Sequence, residues 1–245
     1  MALTGLHTNW ENGSYFNDRN NFLKNKENPG LASGTDLSGL RPYYDGSLAI
    51  GYGFDLLQND NATINSYLTT ANGQTTTLTA ADITLLNEAR AKKKAGTATK
   101  TYLEGVKNQL SISLVSEPAA TTLLQLKLSE YEVALDTALG GHSQFEDSKE
   151  RIAVISLLYT MTTPTSAAIS ATIPATIKAI TNDNRAEAWF EIRYNSNKNG
   201  IHANRRYAES YLFGLYDSGA IFTDPNEAKE VMRMYTWNKD AIRKY

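Results

Sequence analysis

The chain contains no cysteine, so disulfides, thiolate nucleophiles and cysteine metal sites are excluded at the outset. Its three histidines, His7, His142 and His202, are isolated, and none stands at ligand spacing with another histidine or a carboxylate pair. No metal and no other cofactor is therefore expected. The formal net charge is only −2, which gives no overall attraction to nucleic acid or to anionic polymers. No apolar run approaches the length that crosses a bilayer. Residues 1–12 lack the apolar segment of a secretory signal, so the chain is expected to rely on another machine for any work outside the cytoplasm. A phosphate-cradling glycine loop is missing too, because Gly51-Tyr52-Gly53 sits in a strand pattern and not ahead of a helix. No serine has a Gly-x-Ser-x-Gly setting, and internal repeats are absent.

What is present is an ordinary globular composition, 41% hydrophobic and 20% charged over 245 residues, enough for one large domain or two lobes. Periodicity predicts mostly helices with one small hairpin, an α+β, mostly α chain. Helices are expected over 15–26 (capped by Ser14), 62–69, 79–91 (capped by Thr79) and 100–109, the last joining two lobes. A polar turn is expected around 72–77. A long amphipathic helix should open near Pro118, present Leu123, Leu124, Leu128, Tyr131 and Val133 on its apolar side, and stop at Gly140-Gly141. Residues 148–161 are apolar on nearly all faces and belong in the middle of a bundle. Residues 162–175 read as a loop or short helix pair, and Asn184 with Glu187 approximates a capping box for a helix to Tyr194. Tyr207, Tyr211 and Leu212 line the next helix, with Arg206 making a surface pair with Glu209 or Ser210. Asp224-Pro225-Asn226-Glu227 starts a terminal helix that packs through Val231, Met232, Met234, Tyr235 and Trp237. The basic run Lys92-Lys93-Lys94 reads as a solvated helix end matched to the dipole.

The chemically informative stretch is 15–57. Phe16, Leu23 and Glu27 share one helical face, and Pro29 places Glu27 at the helix end. Unpaired carbonyls and partial burial there favour a protonated carboxyl, which is what a general acid needs. Asp45-Gly46 is a hairpin turn signal, followed by alternation of Leu48, Ile50, Tyr52 and Phe54 with Ser47, Ala49, Gly51 and Gly53. Asp45 at the tip is expected to stay solvated and ionised. One neutral acid beside one charged carboxylate is the pairing that glycoside hydrolysis uses. Asp55 is a competing second carboxylate, and Asp36 a weaker one.

A helix ending in Glu27, then Tyr43-Tyr44-Asp45, a turn, and Ile50-Gly51-Tyr52-Gly53 resembles the phage-type (T-even) lysozyme family, glycoside hydrolase family 24. Arg193-Tyr194-Asn195 followed by Asn204-Arg205-Arg206 is similar to a later motif of that family. The resemblance implies a two-lobed fold, lobes 1–105 and 106–245 with a cleft between them, and cleavage of the β-1,4 bond between N-acetylmuramic acid and N-acetylglucosamine in peptidoglycan. It assigns Glu27 as general acid, Asp45 as the residue assisting the water, and Arg205 as the partner of Glu27, with Tyr44 and Tyr194 near substrate. An arginine there would oppose the helix-end effect on Glu27, and the sequence leaves that balance open. The family threonine before Ile-Gly is replaced by Ala49; Ser47, on the same strand face, would supply the hydroxyl. The alternatives are a lytic transglycosylase and a glycan-binding module that does not cut. The implied setting is the periplasmic cell wall, reached by phage lysis or a secretion system. Implied partners are glycan strands, a delivery system or an immunity protein, for a monomer that binds no nucleic acid. The sequence leaves open whether it is an endolysin or an antagonistic effector, and whether it is part of a longer chain.

Overall fold

The computed structural model describes residues 15–74, 78–140, 147–161, 163–197, 200–215 and 225–244. The expected caps Ser14 and Asp224, the 75–77 part of the polar turn, Gly141, His7 and His142 lie outside them. The chain is mostly helical with one small antiparallel sheet of three strands. It divides into two compact units, Asn20–Lys127 and Met1–Arg19 with Leu128–Tyr245. Among the described residues no single helix is long and apolar enough to cross a membrane.

The Asn20–Lys127 unit contains most of α1 (Tyr15–Glu27), which ends at Glu27 as Pro29 dictates. Pro29 does not merely stop the helix. It starts a second, α2 (Pro29–Ala32), whose cap Asn28 accepts the Leu31 N–H on its side chain. A 3-10 turn at Ser38–Leu40 leads into strands β1 (Tyr43–Tyr44), β2 (Leu48–Ile50) and β3 (Phe54–Asp55), paired in that order. The expected single run of alternation from 47 to 54 is therefore two strands. Gly51 and Gly53 take positive φ, 66° and 85°, and turn the chain between them. Next come α3 (Asn61–Asn72), capped by Asp60, and α4 (Ala80–Lys94), opened by a capping box of Thr79 and Asp82.

The helix α5 (Lys100–Gln109) was expected to join two lobes but lies wholly inside this unit, packed on α4 and β1. The same unit continues through Ser111, whose N–H and hydroxyl both donate to Asp82, and Leu114, whose N–H donates to the Leu40 carbonyl. These bonds carry the boundary past the expected 105/106 to 127/128, within α6 (Glu117–Ala138).

In the other unit, Glu132 of α6 accepts from the Tyr15 hydroxyl (2.6 Å), Arg19 (2.8 Å) and Arg151 (2.5 Å), which is why the start of α1 groups with the C-terminal residues. Phe16 is 56% exposed while Leu23 is fully buried, so the expected shared apolar face covers only the later part of α1. α7 (Lys149–Met161) is buried from Ile152 to Leu158 and packs on the later helix at 203–213, as its apolar surround implies. Residues 162–175 hold one short helix, α8 (Ser166–Thr172), and the start of a second, α9 (Pro174–Thr181), which extends through Ile177 and Ile180. α10 (Arg185–Phe190) gives way to a π turn at Glu191–Asn195, where a continuous helix was expected.

The next helix, α11 (Ala203–Phe213), buries charged residues where a surface pair was expected. Tyr207 and Tyr211 are exposed, whereas Arg206 and Glu209 are fully buried and paired. Arg206 is buried with its charge paired, its Nε donating to the Ser196 carbonyl (3.2 Å) and an Nη to the Thr160 hydroxyl (2.8 Å). α12 (Pro225–Trp237) buries Val231 and Met234, three residues apart, and leaves Met232, Tyr235 and Trp237 exposed, against their expected packing role. Val133 likewise faces out of α6. α13 (Lys239–Lys244) closes the described chain.

Asp82 gives a direct stability test. It is 1% exposed and accepts from the Thr79 N–H (3.0 Å) and hydroxyl (2.7 Å) as well as the Ser111 N–H (2.8 Å) and hydroxyl (2.6 Å). Burial pushes its carboxyl up, but the Ser111 and Thr79 donors outweigh burial and hold it below the usual carboxylate range. A depressed folded value means that this stability is present above the unfolded value and is lost as pH falls through the folded one. Asp82→Asn is expected to lower the unfolding free energy by about 2 kcal/mol near pH 7. In urea titrations the gap to wild type should narrow below about pH 4; a gap independent of pH would contradict the role of the charged form.

Candidate active site

The residues gathered around the hairpin all belong to the Asn20–Lys127 unit. The end of α1 is fixed there by one carboxylate. Glu117, opening α6, accepts from Lys24 Nζ (2.6 Å), the Tyr52 hydroxyl (2.6 Å) and the Thr121 hydroxyl (2.8 Å). Burial pushes the Glu117 carboxyl up, but the bonds from Lys24, Tyr52 and Thr121 prevail and lower it. Lys24 also lies over the Tyr52 ring. Glu27 follows Lys24 by three residues and is half-buried, with its Oε1 shielded from solvent. Gly39 completes the fit: a Cβ there would meet Asn28 Nδ2 at 2.5 Å and the Gly51 carbonyl at 3.3 Å, and its own carbonyl accepts the Gly51 N–H at 2.7 Å. The segment after Glu27 is thus tied directly to the β2–β3 turn.

The hairpin forms where Asp45-Gly46 predicted it, with Tyr44 opposite Leu48 and Gly46 at φ 103°. Asp45 is exposed as a residue, but its carboxyl turns back to accept the Ser47 N–H at 3.1 Å. It is not simply solvated, as the sequence suggested. Desolvation raises it, the Ser47 N–H acts against that, Asp55 adds to it, and Lys93 offsets part of it. Tyr43 connects the two carboxylates electrostatically. Its phenol is pushed up first by burial, then by the charges of Asp45 and Glu27. Its hydroxyl donates to the Gly51 carbonyl at 3.4 Å, across the same turn.

Strand register explains the position that lacks a threonine. Ala49 stands opposite Tyr43 on one side and Asp55 on the other, and directly opposed residues point to the same face. Ala49 is 1% exposed between them. Ser47, two residues earlier on that face, is buried, and its hydroxyl accepts from Lys93 Nζ at 2.5 Å. Lys93 also pairs with Asp55 Oδ2 at 3.3 Å. Lys92, Lys93 and Lys94 are exposed at the helix end as expected, but Lys93 also reaches back to Ser47 and Asp55, contacts the run itself does not signal. Asp55 Oδ1 is committed to the Leu57 (2.7 Å) and Gln58 (3.1 Å) N–H groups, a turn-capping role that favours Asp45 as the second carboxylate. Asp36 is likewise occupied, accepting the Ser38 N–H at 2.8 Å. Tyr44 is half-buried, with Lys100 over its ring at 5.8 Å.

Arg205 and Tyr194 belong to the other unit. Arg205 donates to Glu209 Oε1 (3.0 Å) and to the Ser156 carbonyl (3.2 Å) and hydroxyl (3.0 Å), and Ser156 also donates to Glu209 at 2.6 Å. Tyr194 packs on Phe190 (5.3 Å) and Trp189 (6.0 Å), while Arg193 stacks on Tyr207 at 3.9 Å. Lys93 and Glu117 are the residues that sequence reasoning missed. Neither has a local signal, since each is defined by partners at least 38 residues away, except for Thr121. No protein-family model, curated protein or solved structure matches the chain.

The Glu117 assembly is testable apart from any activity. Glu117→Gln keeps the shape but removes the charge, and is expected to cost about 1–2 kcal/mol in urea denaturation. Amide hydrogen exchange should accelerate at the last turn of α1 and at 51–53. Unchanged exchange at both places would contradict the anchoring role.

Proposed function

We propose that the chain is a peptidoglycan hydrolase, a muramidase acting on the β-1,4 bond between N-acetylmuramic acid and N-acetylglucosamine. The observation that carries this reading is the gathering of Glu27, Tyr43 and Asp45 in one unit: an acid at a helix end, a carboxylate at a hairpin tip, and a phenol in the field of both. In this mechanism Glu27 gives its proton to the glycosidic oxygen as the bond to the anomeric carbon breaks. Asp45 takes a proton from water attacking that carbon from the opposite face, which inverts its configuration. The Ser47 N–H fixes the Asp45 oxygen, and the Ser47 hydroxyl stands in for the family threonine. Tyr44 serves as a substrate contact. The two-lobed lysozyme-like arrangement and the roles of Arg205 and Tyr194 belong to the same proposal and rest on the order of motifs along the chain. The place of action is the cell wall, with peptidoglycan strands as partner.

Ala49 favours a second reading. A buried methyl where the family has a hydroxyl fits a protein that keeps the acid but forms an anhydro sugar, or one that grips glycan without cutting it.

Digestion of purified peptidoglycan with mass analysis of the products separates these. Wild type is expected to release reducing muropeptides, and Glu27→Gln and Asp45→Asn to lose roughly 100-fold or more of that rate. Anhydro products would move the assignment to a transglycosylase. Binding without release by folded wild type would leave a glycan-binding module.

A further inference from the structure

Lys93 is a cation brought to the hairpin face from a helix distant in sequence. It sits in the last turn of α4, and its Nζ donates to Ser47 Oγ at 2.5 Å and to Asp55 Oδ2 at 3.3 Å. An ammonium has three donors and no acceptor, so the Ser47 hydroxyl accepts from it and keeps its own proton to donate elsewhere. The Ser47 N–H in turn holds Asp45 Oδ1 at 3.1 Å. One residue thus couples the cation to the carboxylate. A serine this close to a lysine also resembles a nucleophile with an amine base. The ion pair with Asp55 argues against that chemistry, because it uses the lysine as an ammonium, which cannot take the Ser47 proton.

Taking the glycosidase reading as its premise, we infer that Lys93 is a positioning residue for the water-directing carboxylate. It ties the Asp45-Gly46-Ser47 turn to α4, commits the Ser47 hydroxyl to donate toward the water site, and sets a positive charge beside Asp45. The charge matters because of what else faces Asp45. Asp55 on β3 acts on Asp45 directly, and Tyr43 on β1 lies in the field of both Asp45 and Glu27. Lys93 is the lowering cation among these neighbours, set against desolvation and Asp55. A base must be ionised to accept a proton. Removing Lys93 raises Asp45, so the loss of activity falls on the acid side of the pH profile.

Lys93→Met and Lys93→Arg test this, read by the pH dependence of kcat/KM on solubilised peptidoglycan and by carbon NMR titration of the Asp45 carboxyl. The Lys93 side chain is 37% exposed, so neither change opens the core. For Lys93→Met, both the acid limb and the Asp45 titration are expected to move up by roughly half a pH unit or more, with a threefold or greater loss on the acid limb. Lys93→Arg should restore both positions, because it restores the charge. An unmoved Asp45 titration in Lys93→Met, or an equal shift in Lys93→Arg, would overturn the inference. If wild type releases no muropeptides, the glycosidase reading fails, and the NMR titration still decides whether Lys93 governs Asp45.

Discussion

The hairpin face depends first on Glu117. A single carboxylate collects donors from α1, from the β2–β3 turn and from its own helix, and so decides where the end of α1 stands against the sheet. Without that collection Lys24 would bring an uncompensated charge to a partly buried place, and the turn at 51–53 would lose the tyrosine that anchors it. Glu27 inherits its position from this contact, one helical step beyond Lys24. The close approach of Gly39 to Asn28 and Gly51 fixes the other side of the same segment. The end of α1 and the β2–β3 turn are thus held by one local network.

A second layer sets charge. Asp55 acts on Asp45, and Asp45 and Glu27 act on Tyr43, so negative charge gathers on the hairpin face and favours a cation there. Lys93 supplies it from α4, and Asp55 is further quieted by two backbone N–H groups. The division of labour follows. Asp55 is structural, while Asp45 keeps a solvent-facing position and accepts one N–H on a backbone turn that its own Gly46 makes possible.

The parts of this fold that could be read from the sequence are those with local causes. Pro29 ended α1 at Glu27, Asp45-Gly46 made the hairpin, Thr79 with Asp82 opened α4, and the apolar surround of α7 placed it in a core. What escaped depends on partners distant in sequence. Lys93 looks like any basic helix end, and only Ser47 and Asp55 make it part of the site. Arg206 and Glu209 look like a surface pair at i, i+3 until Thr160 and Ser196 satisfy them in the interior. The alternation from 47 to 54 has the period of one strand, yet two glycines with positive φ fold it into two. The candidate site was legible as a short list of carboxylates with Asp45 ranked above Asp55, and what the sequence did not show is that Asp55 is occupied by the Leu57 and Gln58 N–H groups.

The reading turns on water being delivered by Asp45 from the face opposite Glu27. Hydrolysis of a soluble peptidoglycan oligomer followed by proton NMR tests that most directly, because the first-formed anomer records the face of attack. The α-anomer at the new reducing end, appearing before mutarotation, is the expected result. Initial formation of the β-anomer, or of a 1,6-anhydro sugar, would contradict it.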